Sequence, residues 1–143
     1  MRRGNAVAAA GLGLLLLGAC SGPSGSSVAM PPPDASPAHV VQATIDAVNA
    51  GDLEMVRRLG QDGGSPFEIW VETGATMRDA QILQTLSESD YNEYAFYQDA
   101  VNVQVSFIPE GTDESMPAGR SITWGFLLTD VSGSWRVFDS GQG

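Results

Sequence analysis

The 143-residue chain contains no lysine, and its only cysteine and only histidine are Cys20 and His39. One cysteine excludes an internal disulfide, a CxxC redox pair and a thiolate metal cluster. One histidine leaves no paired-histidine metal motif, and neither a Gly-x-Ser-x-Gly elbow nor a Gly-rich phosphate loop is present. Positive charge is scarce as well: seven arginines face 17 carboxylates, a formal charge of −10. Two of those arginines, Arg2 and Arg3, sit at the extreme N-terminus, so the rest of the chain is more acidic still. Such a surface repels phosphate backbones and anionic head groups, which argues against nucleic acid or a bare anionic bilayer as a direct partner. Long apolar runs are also missing. The run Ala6 to Leu17 is about a dozen residues, short of the ~20 needed to span a bilayer as a permanent helix.

What is present at the N-terminus has the three parts of an export signal. Arg2 and Arg3 form a positive segment, Ala6 to Leu17 an apolar one, and Leu17-Gly18-Ala19-Cys20 a small-residue end. Those last four residues resemble the bacterial lipobox, an aliphatic residue and two small ones before cysteine. The resemblance implies cleavage between Ala19 and Cys20 and a diacylglyceryl group on the Cys20 sulfur. Two or three acyl chains anchor stably where one does not, at about 0.8 kcal/mol per buried methylene. Gly4 and Asn5 follow the arginine pair where twin-arginine export wants apolar residues, so the general secretory route is expected. The expected location is the extracytoplasmic face of the membrane. With Ser21 rather than aspartate after the cysteine, a Gram-negative host would sort it to the outer membrane. The lysine-free, Ala- and Gly-rich composition points to a GC-rich, actinobacterial type of genome.

Three segments are therefore expected: a signal over 1–19, the lipidated cysteine with a flexible tether over 20–36, and a folded domain over 37–143. The tether, SGPSGSSVAMPPPDAS after Cys20, has too little apolar surface to offset the entropy of ordering. The remaining length suits one domain. Ser36-Pro37 opens a helix with a capping serine and a first-turn proline, its apolar face Val41, Ile45 and Val48, and Gly51 stops it. Asp52 caps a second helix, with Leu53, Val56 and Leu59 apolar, closed by Gly60; Gln61 to Ser65 is a loop. Phe67 to Val71 alternates as a strand. Thr76-Met77-Arg78-Asp79 has the spacing of a capping box and predicts a third helix with Ala80, Leu83 and Leu86 inward. From Tyr91 the period is two. Val101, Val103, Val105 and Phe107 share a face, while Tyr94 and Phe96 have the opposite parity, which requires a bulge or turn near Asp99-Ala100. A loop from Pro109 to Gly119 follows. Ile122, Trp124, Phe126 and Leu128 alternate, Asp130 to Gly133 turns, and Trp135 to Phe138 is a last hairpin strand.

Helices followed by antiparallel strands predict an α+β domain. The segment Ala47-Val48-Asn49-Ala50-Gly51-Asp52, then a short helix and a terminal Gly-x-Trp-x-Val strand, resembles the NTF2-like superfamily, a cone-shaped, cystatin-like fold, and within it the secreted lipoproteins. The resemblance implies two to three N-terminal helices on a curved sheet of four to five strands, with a pocket between the concave face and the first helix. Some members are isomerases or dehydratases with Asp, His and Tyr in that pocket; others bind without catalysis.

Candidate chemistry is sparse. His39, in the first turn of a helix beside the tether, suits a solvated or capping role. Asp46 is expected on the outward side of that helix. Glu110, Asp113 and Glu114 could supply hard oxygens to calcium, but an acidic loop accounts for them; no metal or cofactor is expected. Tyr91, Tyr94 and Tyr97 are strand tyrosines with a polar tip, and Trp70, Trp124 and Trp135 suit core or pocket wall. The candidate pocket is Tyr94, Phe96, Trp124 and Phe126. The shortage of convergent titratable groups favours a non-catalytic binding or accessory module for an apolar small molecule or envelope protein, as monomer or dimer, over a small isomerase or dehydratase.

Overall fold

Local capping sets the first two helices. In the computed structural model, which describes residues 27–88, 99–117 and 119–142, helix α1 is Pro37–Ala50. The Ser36 hydroxyl accepts from the His39 amide at 3.3 Å, and Gly51 closes the helix at φ 69°. Helix α2, Leu53–Leu59, starts where Asp52 Oδ1 accepts from the Met55 amide at 3.0 Å. A 3₁₀ turn, Gln61–Gly63, follows. Gly60 pairs with Val137 as an isolated parallel bridge, and a Cβ on it would meet the Gly64 carbonyl oxygen at 1.8 Å, so only glycine fits.

The next two elements exchange identities relative to the sequence expectation. Residues 68–73 form helix α3, Glu68–Thr73, instead of a strand. The cause is a set of local bonds over Ser65-Pro66-Phe67-Glu68, just ahead of the helix. The Phe67 amide donates to Ser65 Oγ at 3.3 Å, the Ser65 amide donates to Glu68 Oε1 at 3.0 Å, and Gly74 ends the helix at φ 74°. Burial of Phe67 and Trp70 outweighs the weak helix propensity of Ile69, Val71 and Thr73.

Thr76 to Ser87, expected to begin and continue a helix, is strand β1, Thr76–Ser87. It pairs antiparallel with β2, Val101–Glu110, and its register slips at two places, between Arg78 and Gln81 and between Ile82 and Gln84. Asp79 lies at φ 54°, outside helical geometry. Each slip inserts one extra residue, so the side facing the core carries Met77, Ala80 and Ile82 in place of a strict alternation. Leu83 and Leu86 are exposed, not inward.

Strands β3, Ile122–Val131, and β4, Ser134–Gln142, complete a four-stranded antiparallel meander in the order β1-β2-β3-β4. The β3–β4 turn is the two residues Ser132 and Gly133, both at positive φ, with the Gly133 amide donating to Asp130 Oδ1 at 2.6 Å. Asp99, at φ 55°, stands in a turn just before β2; Tyr94 and Phe96, on which the expected parity change rests, lie outside the described residues. Strand β2 runs two residues into the expected loop, through Pro109 and Glu110. Proline is tolerated there because β3 begins opposite Phe107, so the absent N–H costs no ladder bond.

The domain is thus α+β, with the helices packed on one face of the sheet. That face carries Val103, Val105, Phe107, Phe126 and Leu128, all fully buried against α1, α2 and α3. Phe67 stacks on Phe126 with centroids 4.4 Å apart, and Trp70 meets Phe107 edge-on at 5.7 Å. The folded body also starts earlier than Pro37. Pro31 and Ala35 are buried, and Val28 and Met30 pack against the core, so the described part of the expected tether belongs to the domain. Among the described residues, no helix is long and apolar enough to cross a membrane.

Candidate functional site

Phe126 is fully buried and stacked on Phe67, which makes it core. Trp124 shares its face, half-buried, with its indole N–H buried and unpartnered among the described residues. Tyr94 and Phe96 lie outside the described residues, as do Tyr91, Tyr97, Ala19 and Cys20. Of the four expected pocket residues, only Trp124 and Phe126 fall within the described residues. Asp46, on the exposed side of α1, accepts from Gln42 Nε2 at 2.9 Å, and His39 is exposed.

A cleft of about 420 Å³ opens between α3 and the loop after β2. Gly111 makes it possible. At φ 69° it lies against the turn after α3, where a Cβ would stand 3.1 Å from the Gly74 carbonyl oxygen and 3.4 Å from Ala75 Cα. This close approach seats residues 111–116 opposite residues 69–75. The apolar wall is Ile69, Trp70 and Met116. Ile69 is 57 % exposed although it stands one residue from the buried Trp70, because a single-sided helix this short directs consecutive residues to different faces. The Thr73 hydroxyl, also on the wall, donates to the Ile69 carbonyl at 2.7 Å and so closes the last turn of α3.

The polar side of the cleft comes from Thr112, Asp113 and Ser115. Asp113 Oδ1 accepts from the Ser115 amide at 2.9 Å and from the Ser115 hydroxyl. The Ser115 hydroxyl, and after it the Ser115 amide, hold the Asp113 carboxyl below the usual carboxylate range. Both bonds go to Oδ1; among the described residues nothing bonds Oδ2. Glu110, grouped with Asp113 and Glu114 from sequence, instead turns to Arg78, whose Nε donates to it at 2.5 Å. Among the described residues, no group of three or more His, Cys, Asp or Glu side chains is placed to hold a metal ion.

A second opening, of about 320 Å³, lies between the N-terminal segment at Val28 and Met30 and the start of α2 at Asp52, Met55 and Arg58. Ile69, Thr73 and Met116 were invisible as site residues in the sequence. Reading 67–71 as a strand put Ile69 in an alternating pattern, and nothing local connects it with a loop more than forty residues away. No protein-family model matches the chain, and neither a curated protein nor a solved structure is similar to it.

Proposed function

We propose that this chain is a lipid-anchored protein of the bacterial envelope whose folded body binds an apolar ligand or the apolar part of an envelope partner without turning it over. The observation that carries the binding part is the cleft. Its wall of Ile69, Trp70 and Met116 with a few polar groups at one side is the usual make-up of a ligand site, and its volume falls in the usual range. The non-catalytic part rests on Asp113, the one titratable side chain on that wall among the described residues. A general acid or base needs a pKa near the working pH, and the Ser115 bonds move this one away from it.

Anchoring rests on the lipobox-like Leu17-Gly18-Ala19-Cys20. Val28 packs against the core, so a lipid on Cys20 would be joined to the folded body through only the few residues between them. Eight steps of chain reach no more than roughly 30 Å, so the body would work close to the bilayer surface. The NTF2-like assignment belongs to the same proposal. Its support is a set of N-terminal helices on one face of an antiparallel sheet whose first strand is bent by two bulges.

Two measurements test the proposal. Expressed in a bacterium fed labelled palmitate, the wild-type chain should take up label and partition into detergent, and Cys20→Ser should do neither; label retained by Cys20→Ser overturns the anchor. Native mass spectrometry of the protein from its own membranes should show a bound apolar species that is lost in Ile69→Asp. A species retained by that variant would place binding elsewhere.

A further inference from the structure

Resting on the cleft as a binding site, we infer that its ligand is a small organic cation, an ammonium group carried on an apolar body. The apolar side of the cleft sets the body. Ile69 exposes more than half its surface beside Met116, and the indole of Trp70 closes the wall behind them. The opposite side sets the charge. Asp113 brings a carboxylate to the cleft, Ser115 fixes it through Oδ1, and Oδ2 stays available to a donor from a ligand. A carboxylate already held by two bonds is pre-oriented, so a ligand that bonds it loses less in ordering the loop.

No arginine lines the cleft, and the chain has no lysine to neutralise Asp113 from within. Glu72 precedes the wall residue Thr73 and Glu114 lies between Asp113 and Ser115; both are exposed and add to the same sign. An anionic ligand would meet repulsion from all three. A neutral ligand would leave the carboxylate half-used. An ammonium satisfies it with a charge-assisted hydrogen bond. The ionised state of Asp113 holds through neutral pH, because the Ser115 bonds favour it.

The mature lipidated protein, held in lipid nanodiscs, is titrated with three matched probes: 4-phenylbutylammonium, 4-phenylbutanol and 4-phenylbutyrate. Binding is read from the Ile69 and Met116 methyl signals, with empty nanodiscs correcting for partition into lipid. The ammonium should bind about tenfold more tightly than the alcohol, as a charged hydrogen bond adds, and the carboxylate weakest. Asp113→Asn should remove the preference for the ammonium over the alcohol. Thr112→Lys, which adds a cation to the same wall without touching Asp113, should have the same effect and guards against a loop distortion in the first variant. If alcohol and ammonium bind equally, or both variants keep the ammonium preference, the cationic specificity is overturned while the cleft remains a binding site. If no probe moves either methyl, the cleft reading itself is overturned together with this one.

Discussion

Asn49 clamps Met77 across 28 residues of sequence: its side-chain amide donates to the Met77 carbonyl at 3.1 Å, and its Oδ1 accepts from the Met77 amide at 2.7 Å. The side chain thus meets the backbone of β1 as a neighbouring strand would. It joins the last turn of α1 to the first residues of an edge strand, whose outward backbone groups would otherwise stand unpaired. Asn49→Ala should lower stability by about 1–3 kcal/mol, the cost of leaving backbone groups unsatisfied at a partly buried site. A urea melt checks this through its midpoint. Asn49→Asp should be no better at neutral pH, since it keeps the acceptor but sets a carboxylate against a carbonyl oxygen.

Phe126→Ala should destabilise the domain by about 3–5 kcal/mol, because it empties a fully buried site stacked on Phe67. Trp135→Ala should cost clearly less. Trp135 also faces the helices but is only half-buried, so its ring keeps solvent on one side. Thermal melts of the two variants give the order directly, and a larger loss at Trp135 would mean that β4 packs more deeply than described.

Acid sensitivity should centre on Glu68. Its carboxyl is held below the usual range first by the Arg57 side-chain bond, at 2.8 Å, and then by the Ser65 amide. A carboxyl lowered in the folded state binds its proton more readily when unfolded, so its contribution to stability is present above the unfolded value, about pH 4.3, and is lost as pH falls through the folded one. Glu68→Gln should therefore be less stable than the native chain at pH 7, and the difference should shrink between about pH 4 and pH 2. Paired melts at pH 7 and pH 2.5 read it, and a pH-independent gap would assign the effect to geometry alone.

Ser132→Asn should stabilise the domain by about 0.5–1 kcal/mol, since asparagine tolerates the left-handed backbone that this turn demands better than serine does. Ser132 sits at φ 55° and Gly133 at φ 84°, the pairing for which Asn-Gly is the favoured sequence. Gly133→Ala should act in the opposite direction. Denaturant midpoints of the two variants test both signs.

Where a few neighbouring residues decide a conformation, the residues themselves determined it. Ser36, Gly51 and Asp52 place three helix boundaries because each cap bonds within a few positions of itself. The alternation of Val101 to Phe107 and of Ile122 to Leu128 determined two core strands, because strand side chains repeat every two residues. Residues 67–87 were decided differently. Met77, Ala80, Leu83 and Leu86 are spaced as a helix face, yet in the twice-bulged strand Met77, Ala80 and Ile82 are the residues that pack on the core, and only pairing with β2 decides between the two. Ser65-Pro66-Phe67-Glu68 did carry a legible set of local bonds, but Phe67-Glu68-Ile69-Trp70-Val71 also alternates; burial of Phe67 and Trp70 under α1 and against the sheet favours the helix. The cleft was legible in neither segment alone. It exists because Gly111 allows the loop after β2 to touch Gly74 and Ala75, a contact between distant parts of the chain that forms only once the sheet is assembled.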